Sequence, residues 1–137
     1  LPLLYKYHKR SQTRTTPAIP QIFALRKQLQ HIIEEEGLEN RFERHEKMAK
    51  LVQDWALKYF DIYPEKGYWS KTVTNVKNTR GISVVDLNDR LIKDYNMRIA
   101  NGYGDMKGEA FRIAHMGDMD IPDLRGLLLT IEEILAL

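Results

Sequence analysis

Arg112 is the residue of this chain whose surroundings most directly suggest chemistry. It lies in the apolar run Ala110-Phe111-Arg112-Ile113-Ala114, which predicts a buried strand. Burying a guanidinium without a partner costs several kcal/mol, so an arginine in such a strand normally meets an anion. That anion is either a structural carboxylate of the same domain or a carboxylate on a ligand, which a planar guanidinium can bind through two parallel hydrogen bonds.

A glycine-rich segment, Asn101-Gly102-Tyr103-Gly104, comes shortly before this strand. We expect it to be a flexible loop whose backbone a ligand can approach, which makes Gly102 and Tyr103 candidates for substrate contact. The same residues are also typical of a turn that requires a positive φ. Both interpretations stay open at this point.

Helices and short strands must position these residues. Thr16-Pro17 predicts the N-cap and first turn of a helix that ends at Gly37. Further helices are predicted over about 38–58, over 83–94 and from about 120 onward, and strands near 60–63, 72–76, 97–100 and 110–115. The order ααββαββα lacks strict βαβ alternation. It favours an α/β two-layer sandwich (α+β-like), in which helices cover one face of a small, mostly antiparallel sheet.

Composition excludes several classes of function. The chain has 137 residues, 43% of them hydrophobic and 29% charged, which is typical of one globular domain. It contains no cysteine, so a disulfide scaffold, a thiolate metal site and a cysteine nucleophile are excluded, and we expect a cytoplasmic location. A net charge of +2 and the lack of a long apolar run predict neither a nucleic-acid partner nor a membrane partner. No metal site is expected, because the histidines lie far apart: His8, His31, His45 and His115.

The segment around Arg112 resembles the C-terminal signature of class V (fold-type I) pyridoxal-phosphate-dependent aminotransferases, the group of alanine–glyoxylate and serine–pyruvate aminotransferases. Three parts of the segment carry the resemblance: Ala100-Asn101-Gly102-Tyr103-Gly104, Lys107-Gly108, and Phe111-Arg112-Ile113 followed by His115-Met116-Gly117-Asp118. Upstream, Gln12-Thr13-Arg14-Thr15-Thr16-Pro17 resembles the family's Thr-x-x-Thr-Pro segment. One departure is Ala114, where the family usually has glycine, and we expect tighter packing there.

The resemblance implies roles for the residues that match the family's motifs. Arg112 would bind the α-carboxylate of an amino-acid or 2-oxo-acid substrate, and Gly102 and Tyr103 would line the substrate side of the pocket. Thr13 and Thr16 would help hold the phosphate of pyridoxal 5'-phosphate bound to the neighbouring subunit of a homodimer. The plain alternative is that Thr16 is only an N-cap and Thr13 only a loop residue.

The resemblance also implies what the chain lacks. The lysine that binds the cofactor, the aspartate on its pyridine nitrogen and the aromatic residue on its ring belong to the family's large domain, which precedes this region. Pyridoxal 5'-phosphate would therefore be held mainly by that domain. We expect no catalytic residue in this chain and no activity from it alone.

Two hypotheses on the function follow. In the first, residues 1–15 are a connecting and interface segment, and 16–137 form the C-terminal small domain of an aminotransferase that moves an amino group from an alanine-, serine- or aspartate-type donor to a glyoxylate- or pyruvate-type acceptor. The start Leu1-Pro2-Leu3, which lacks an initiator methionine, favours a piece of a larger protein. In the alternative, the chain is a free-standing, non-enzymatic module that binds a small carboxylate or mediates oligomerisation.

Overall fold

A computed structural model describes residues 2–137. Over these residues, the helices are α1 (Pro2–Lys9), α2 (Ile19–Gln30), α3 (Leu38–Tyr59), α4 (Val84–Tyr95) and α5 (Ile121–Leu135). The strands are β1 (Asp61–Ile62), β2 (Val73–Lys77), β3 (Ala100–Asn101) and β4 (Ala110–Ala114). A π-helical segment, His31–Glu36, directly follows α2. The chain divides into an N-terminal unit that ends at Arg41 and a C-terminal unit, Phe42–Leu137.

In the N-terminal unit, the helix that follows Thr16 begins later than the sequence predicts. It starts at Ile19, with Pro20 in its first turn and no side-chain hydrogen bond at its N-cap. A helix starting at Pro17 would place Pro20 where a backbone N–H is needed for the first intrahelical hydrogen bond, and proline has none. The observed start puts Pro20 where no N–H is required. The prediction that Thr16 is the N-cap is therefore wrong.

The rest of this unit differs from expectation in two ways. Helix α1 lies in the segment predicted to be a connecting and interface segment, for which no helix was expected. The apolar stripe of α2 and its π-helical continuation is exposed, including Ile22, Leu25, Leu29 and Ile33. The predicted end of the helix is confirmed, because Gly37 follows it with a φ of 83°.

The C-terminal unit is built on a four-stranded sheet in the order β1-β2-β4-β3. Every neighbouring pair in it is antiparallel. The central strands β2 and β4 pair along their full length, from Val73 opposite Ala114 to Lys77 opposite Ala110. The short strands β1 and β3 lie outside them. The predicted α/β fold with a small antiparallel sheet is confirmed.

One face of the sheet carries the core. Phe111 and Ile113 of β4 are fully buried, and Val76 of β2 is buried beside them. The side chains that complete the core come mainly from α3, α4 and α5: Met48, Val52, Trp55, Ala56, Val84, Leu87, Leu91, Leu124, Leu127, Leu128 and Ile131. At about 25 cal/mol per Å² of apolar surface removed from water, this burial is the main favourable contribution to folding.

The helices that follow the sheet strands begin where their capping residues predict. Ser83 accepts a hydrogen bond from the backbone N–H of Asp86 at the start of α4. Asp120 and Asp123 form a reciprocal capping box at the start of α5. Such hydrogen bonds satisfy N–H groups that have no partner inside a helix, so short polar residues mark both helix starts in the sequence.

A polar pair is buried on the core face of the sheet. His115, directly after β4, is fully buried, and its Nε2 lies 2.9 Å from the hydroxyl oxygen of Thr74 on β2. His115 therefore serves the packing of the core. Burial lowers the pKa of His115 below its ordinary value of 6.5, because a charged imidazole loses its hydration there.

We expect the stability of this unit to fall in mild acid. The pKa of His115 is lower in the folded state than in the unfolded state, so the unfolded state takes up the proton first as the pH drops. The His115 contribution is complete above a pH of about 6.5 and declines below it. Urea unfolding between about pH 7 and pH 5 should show a smaller loss of stability for His115→Gln than for the wild type. Equal losses in the two proteins would contradict this.

Candidate functional site

Arg112 lies at the centre of β4, on the face of the sheet opposite the core. Its strand neighbours Phe111 and Ile113 are fully buried, whereas Arg112 itself is half-buried. Side chains of a strand alternate between the two faces, so Arg112 shares a face with Asn75 on β2 and Ala100 on β3, its partners in register. We call this side the open face. The predicted strand is confirmed, but Arg112 is not buried with its apolar neighbours.

The guanidinium of Arg112 has no carboxylate partner among residues 2–137. The salt bridges of the described chain involve other residues, and the one hydrogen bond that Arg112 donates runs from Nε to the backbone oxygen of Asn101, at 3.3 Å. The N–H groups of the two terminal nitrogens, Nη1 and Nη2, donate to no other residue among 2–137. The sequence leaves two possible partners open, a structural carboxylate and a carboxylate on a ligand. The described residues supply no structural carboxylate to Arg112.

Asn75 of β2 lies opposite Arg112 on the open face, and the other neighbouring side chains are alanines. Ala110 and Ala114 lie on either side of it along β4, and Ala100 lies opposite on β3. None of them extends beyond Cβ, so they do not reach over the guanidinium. Ala114 is exposed, and the tighter packing expected from alanine in place of glycine is therefore not found.

The glycine-rich segment is a closed loop held by backbone hydrogen bonds. Gly102 N–H donates to the oxygen of Ala110 at 2.8 Å, and Glu109 N–H donates to the oxygen of Met106 at 3.1 Å. Gly104 has a φ of 58°, so one residue of the motif does need the left-handed region. Internal hydrogen bonds thus define the conformation of the loop, and its expected flexibility stays a prediction.

Gly102 and Tyr103 of this loop have very different surroundings. A Cβ on Gly102 would lie 1.9 Å from the backbone oxygen of Met106, so no other residue fits without a shift of the backbone. Tyr103 is 81% exposed. Its ring is therefore accessible to a ligand or to another protein surface. Neither position is tested further by the structure, and the substrate contact of both residues stays a prediction.

Thr13 and Thr16 lie between α1 and α2, in the N-terminal unit, and both are exposed. Arg112 belongs to the C-terminal unit, so the threonines and Arg112 lie in different units of the chain. The phosphate role of both threonines stays a prediction.

Residues 2–137 offer neither a metal site nor a membrane-spanning helix. No group of three or more His, Cys, Asp or Glu residues within 2–137 is arranged to hold a metal ion. None of the helices described here combines the length and the apolar character needed to cross a membrane.

Sequence reasoning missed Asn101. Its backbone oxygen accepts the hydrogen bond from Arg112, and its side-chain oxygen accepts from two N–H groups of the adjacent loop, Gly102 and Gly108. The available signal was an asparagine directly before a glycine at the end of a strand, where asparagine side chains commonly bond nearby backbone. The contact with Arg112 could not be read from the sequence, because it depends on the β3–β4 register.

The chain is similar to known aminotransferases in fold and in sequence. The solved structure of an alanine–glyoxylate aminotransferase from Nostoc sp. matches with a TM-score of 0.84 and 27% identity, over 97% of this chain and 36% of that one. An uncharacterized aminotransferase of Methanocaldococcus jannaschii is 35% identical over 118 residues, which cover 84% of this chain and 30% of the relative. A serine–glyoxylate aminotransferase of Arabidopsis thaliana is 35% identical over 125 residues, covering 88% and 30%. No family model matches the chain.

Together, the antiparallel sheet with its helical layer and these relatives define an aminotransferase C-terminal domain. By sequence and fold, the chain is related to a part of the class V aminotransferases. It spans only about a third of the length of the relatives that it matches, at 30% of each of these two curated relatives and 36% of the solved structure.

We expect Gly102→Ala to destabilise the C-terminal unit by about 3 kcal/mol or more, because the added methyl overlaps the Met106 carbonyl. Gly126→Ala is a matched control within α5, where the nearest atom to a new Cβ is the methyl of Met97 at 3.8 Å. Alanine at that helical position should stabilise by about 0.5–1 kcal/mol. Denaturant unfolding measures both changes. Equal changes in the free energy of unfolding for the two variants would contradict the close approach of Gly102 to the Met106 oxygen.

Proposed function

We propose that the chain is the substrate-carboxylate-binding C-terminal domain of a pyridoxal-phosphate-dependent aminotransferase. The reaction would move an amino group from an alanine-, serine- or aspartate-type donor to a 2-oxo acid of the glyoxylate or pyruvate type. The observation that carries the proposal is the unpaired guanidinium edge of Arg112 on the open face. Relatives named serine–glyoxylate and L-aspartate–glyoxylate aminotransferases support this substrate class.

One arginine would serve both halves of such a reaction. The amino donor and the 2-oxo acceptor both carry a carboxylate next to the reacting carbon, so a single fixed guanidinium holds either molecule in the same orientation. Two parallel N–H donors fix both the position and the plane of that carboxylate, which the point charge of a lysine would not do. The role of Arg112 is therefore to bind and orient the substrate.

The cofactor would supply the electron sink for the chemical step. In this chain, the hydroxyls of Thr13 and Thr16 fit the phosphate of pyridoxal 5'-phosphate, because both residues are exposed and hydroxyls donate well to phosphate oxygens. We assign them to the cofactor of the neighbouring subunit. The lysine that binds the cofactor would come from the large domain, so this chain alone would be inactive.

A homodimer would explain the exposed residues of the N-terminal unit. Ile22, Leu25 and Leu29 expose apolar surface along one helix, which is unusual for a surface in contact only with water. We assign residues 1–15 to a connection that takes part in the dimer interface, and 16–137 to the small domain. We also propose a cytoplasmic enzyme with neither a nucleic-acid nor a membrane partner.

The product of the complete gene, purified without added cofactor, tests the proposal. We expect a visible absorbance band from bound pyridoxal 5'-phosphate that disappears on borohydride reduction and shifts when alanine or serine is added. A colourless protein that binds no added pyridoxal 5'-phosphate would contradict the proposal and favour a non-enzymatic carboxylate-binding module.

We expect Arg112→Ala in the complete enzyme to raise KM strongly for both substrates. Loss of a paired guanidinium leaves the substrate carboxylate without its counter-charge, which should remove about 2–5 kcal/mol of transition-state binding. Arg112→Lys keeps the charge but loses the two-pronged geometry, so its kcat/KM should lie between those of the wild type and the alanine variant. A kcat/KM for Arg112→Ala within a few-fold of the wild type would exclude this role.

A further inference from the structure

We propose that Asn101 is the positioning residue for Arg112, and that it presents the end of the guanidinium, Nη1 and Nη2, to the substrate carboxylate. This inference rests on the proposed function and adds a residue to which the sequence analysis gives no role. It also specifies the direction from which the carboxylate binds.

Asn101 connects the arginine to the glycine loop through three contacts. Its backbone oxygen accepts from Nε of Arg112 at 3.3 Å. Its side-chain Oδ1 accepts from Gly102 N–H at 2.8 Å and from Gly108 N–H at 3.1 Å. One residue therefore joins both ends of the loop and the guanidinium.

The backbone of Asn101 is constrained from several directions. It pairs with Phe111, a fully buried core residue of β4. The two hydrogen bonds that its side-chain Oδ1 accepts hold the start and the end of the loop together. Gly108 is also held by Asn78, whose side-chain amide donates to the Gly108 oxygen at 2.8 Å. The acceptor for Arg112 is thus part of a hydrogen-bonded frame rather than of a free chain segment.

This arrangement decides which edge of the guanidinium meets the ligand. Of the five N–H donors of an arginine, the one on Nε is used by Asn101, so the side edge formed by Nε and one terminal nitrogen is occupied. The edge formed by Nη1 and Nη2 remains, and a carboxylate meets it end-on with two parallel hydrogen bonds. Fixing the arginine before the substrate arrives also reduces the ordering cost of binding.

The test compares variants of the complete enzyme. Asn101→Ala removes the side-chain acceptor of both loop N–H groups, whereas Asn101→Asp keeps an oxygen in that position. Gln53→Ala is the control, because the Gln53 side-chain amide also hydrogen-bonds to backbone, donating to the Ser70 oxygen at 3.1 Å, but lies outside the loop. The measurements are KM and kcat for both substrates, and the dissociation constant of propionate by calorimetry.

We expect Asn101→Ala to raise both KM values and the propionate dissociation constant about 3- to 10-fold, with kcat changed by less than about twofold, because only the ordering of Arg112 is lost. Asn101→Asp should recover most of this loss, and Gln53→Ala should match the wild type in both KM and kcat. A merely structural role would instead lower the amount of folded enzyme and leave KM unchanged.

Three results would overturn the proposal. The first is an Asn101→Ala enzyme whose KM values and propionate binding equal those of the wild type. The second is a loss confined to kcat, and the third is an aspartate variant as weak as the alanine variant. If the wild-type protein does not transaminate at all, the proposed function fails, and the propionate measurement still tests the link between Asn101 and Arg112.

Discussion

The antiparallel pairing of β2 with β4 is the constraint on which the rest of the C-terminal unit depends. It aligns five residues of each strand, from Val73 opposite Ala114 to Lys77 opposite Ala110. Since side chains alternate along a strand, this one register sends Phe111 and Ile113 into the core and Arg112 to the opposite face. A shift by a single residue would bury the guanidinium and expose the apolar side chains, so the core itself fixes the position of the charge.

Much of the C-terminal unit could be predicted from local features of the sequence. Ser83 and Asp120 mark helix starts because their side chains satisfy backbone N–H groups nearby, and the apolar stripe of α3 is long enough to be unambiguous. Arg112 could be singled out because a charge in an apolar run requires a partner. The predicted helix starts succeed because each depends on residues close together in the chain, whereas the role of Arg112 stays a prediction.

The failures involve effects that local patterns do not contain. The start of α2 depends on the competition between two prolines, and the pattern alone favoured the earlier one, at Pro17. The half-exposed position of Arg112 depends on which face of the sheet the helices cover. The part played by Asn101 depends on the pairing of β3 with β4, which brings its backbone oxygen next to Arg112. Both the exposure of Arg112 and its contact with Asn101 thus depend on residues that are far apart in the sequence.

A domain that presents one oriented guanidinium would suit the proposed function, in which a cofactor performs the chemistry. The protein would then have to hold two chemically similar substrates in turn at the same distance from the cofactor, and a fixed arginine would do this without moving. The alanines beside Arg112 do not reach over the guanidinium, and the hydrogen bond to Asn101 at the edge of the closed loop defines its direction. Selectivity between amino acids would then come from groups outside this site.

The central claim is that the terminal nitrogens of Arg112 bind the substrate carboxylate. A crystal structure of the complete protein with pyruvate bound tests it most directly. We expect both carboxylate oxygens to lie at about 2.7–2.9 Å from Nη1 and Nη2, with Nε still donating to the backbone oxygen of Asn101. A carboxylate bound elsewhere, or an Arg112 that forms an ion pair with a carboxylate of the large domain, would contradict it.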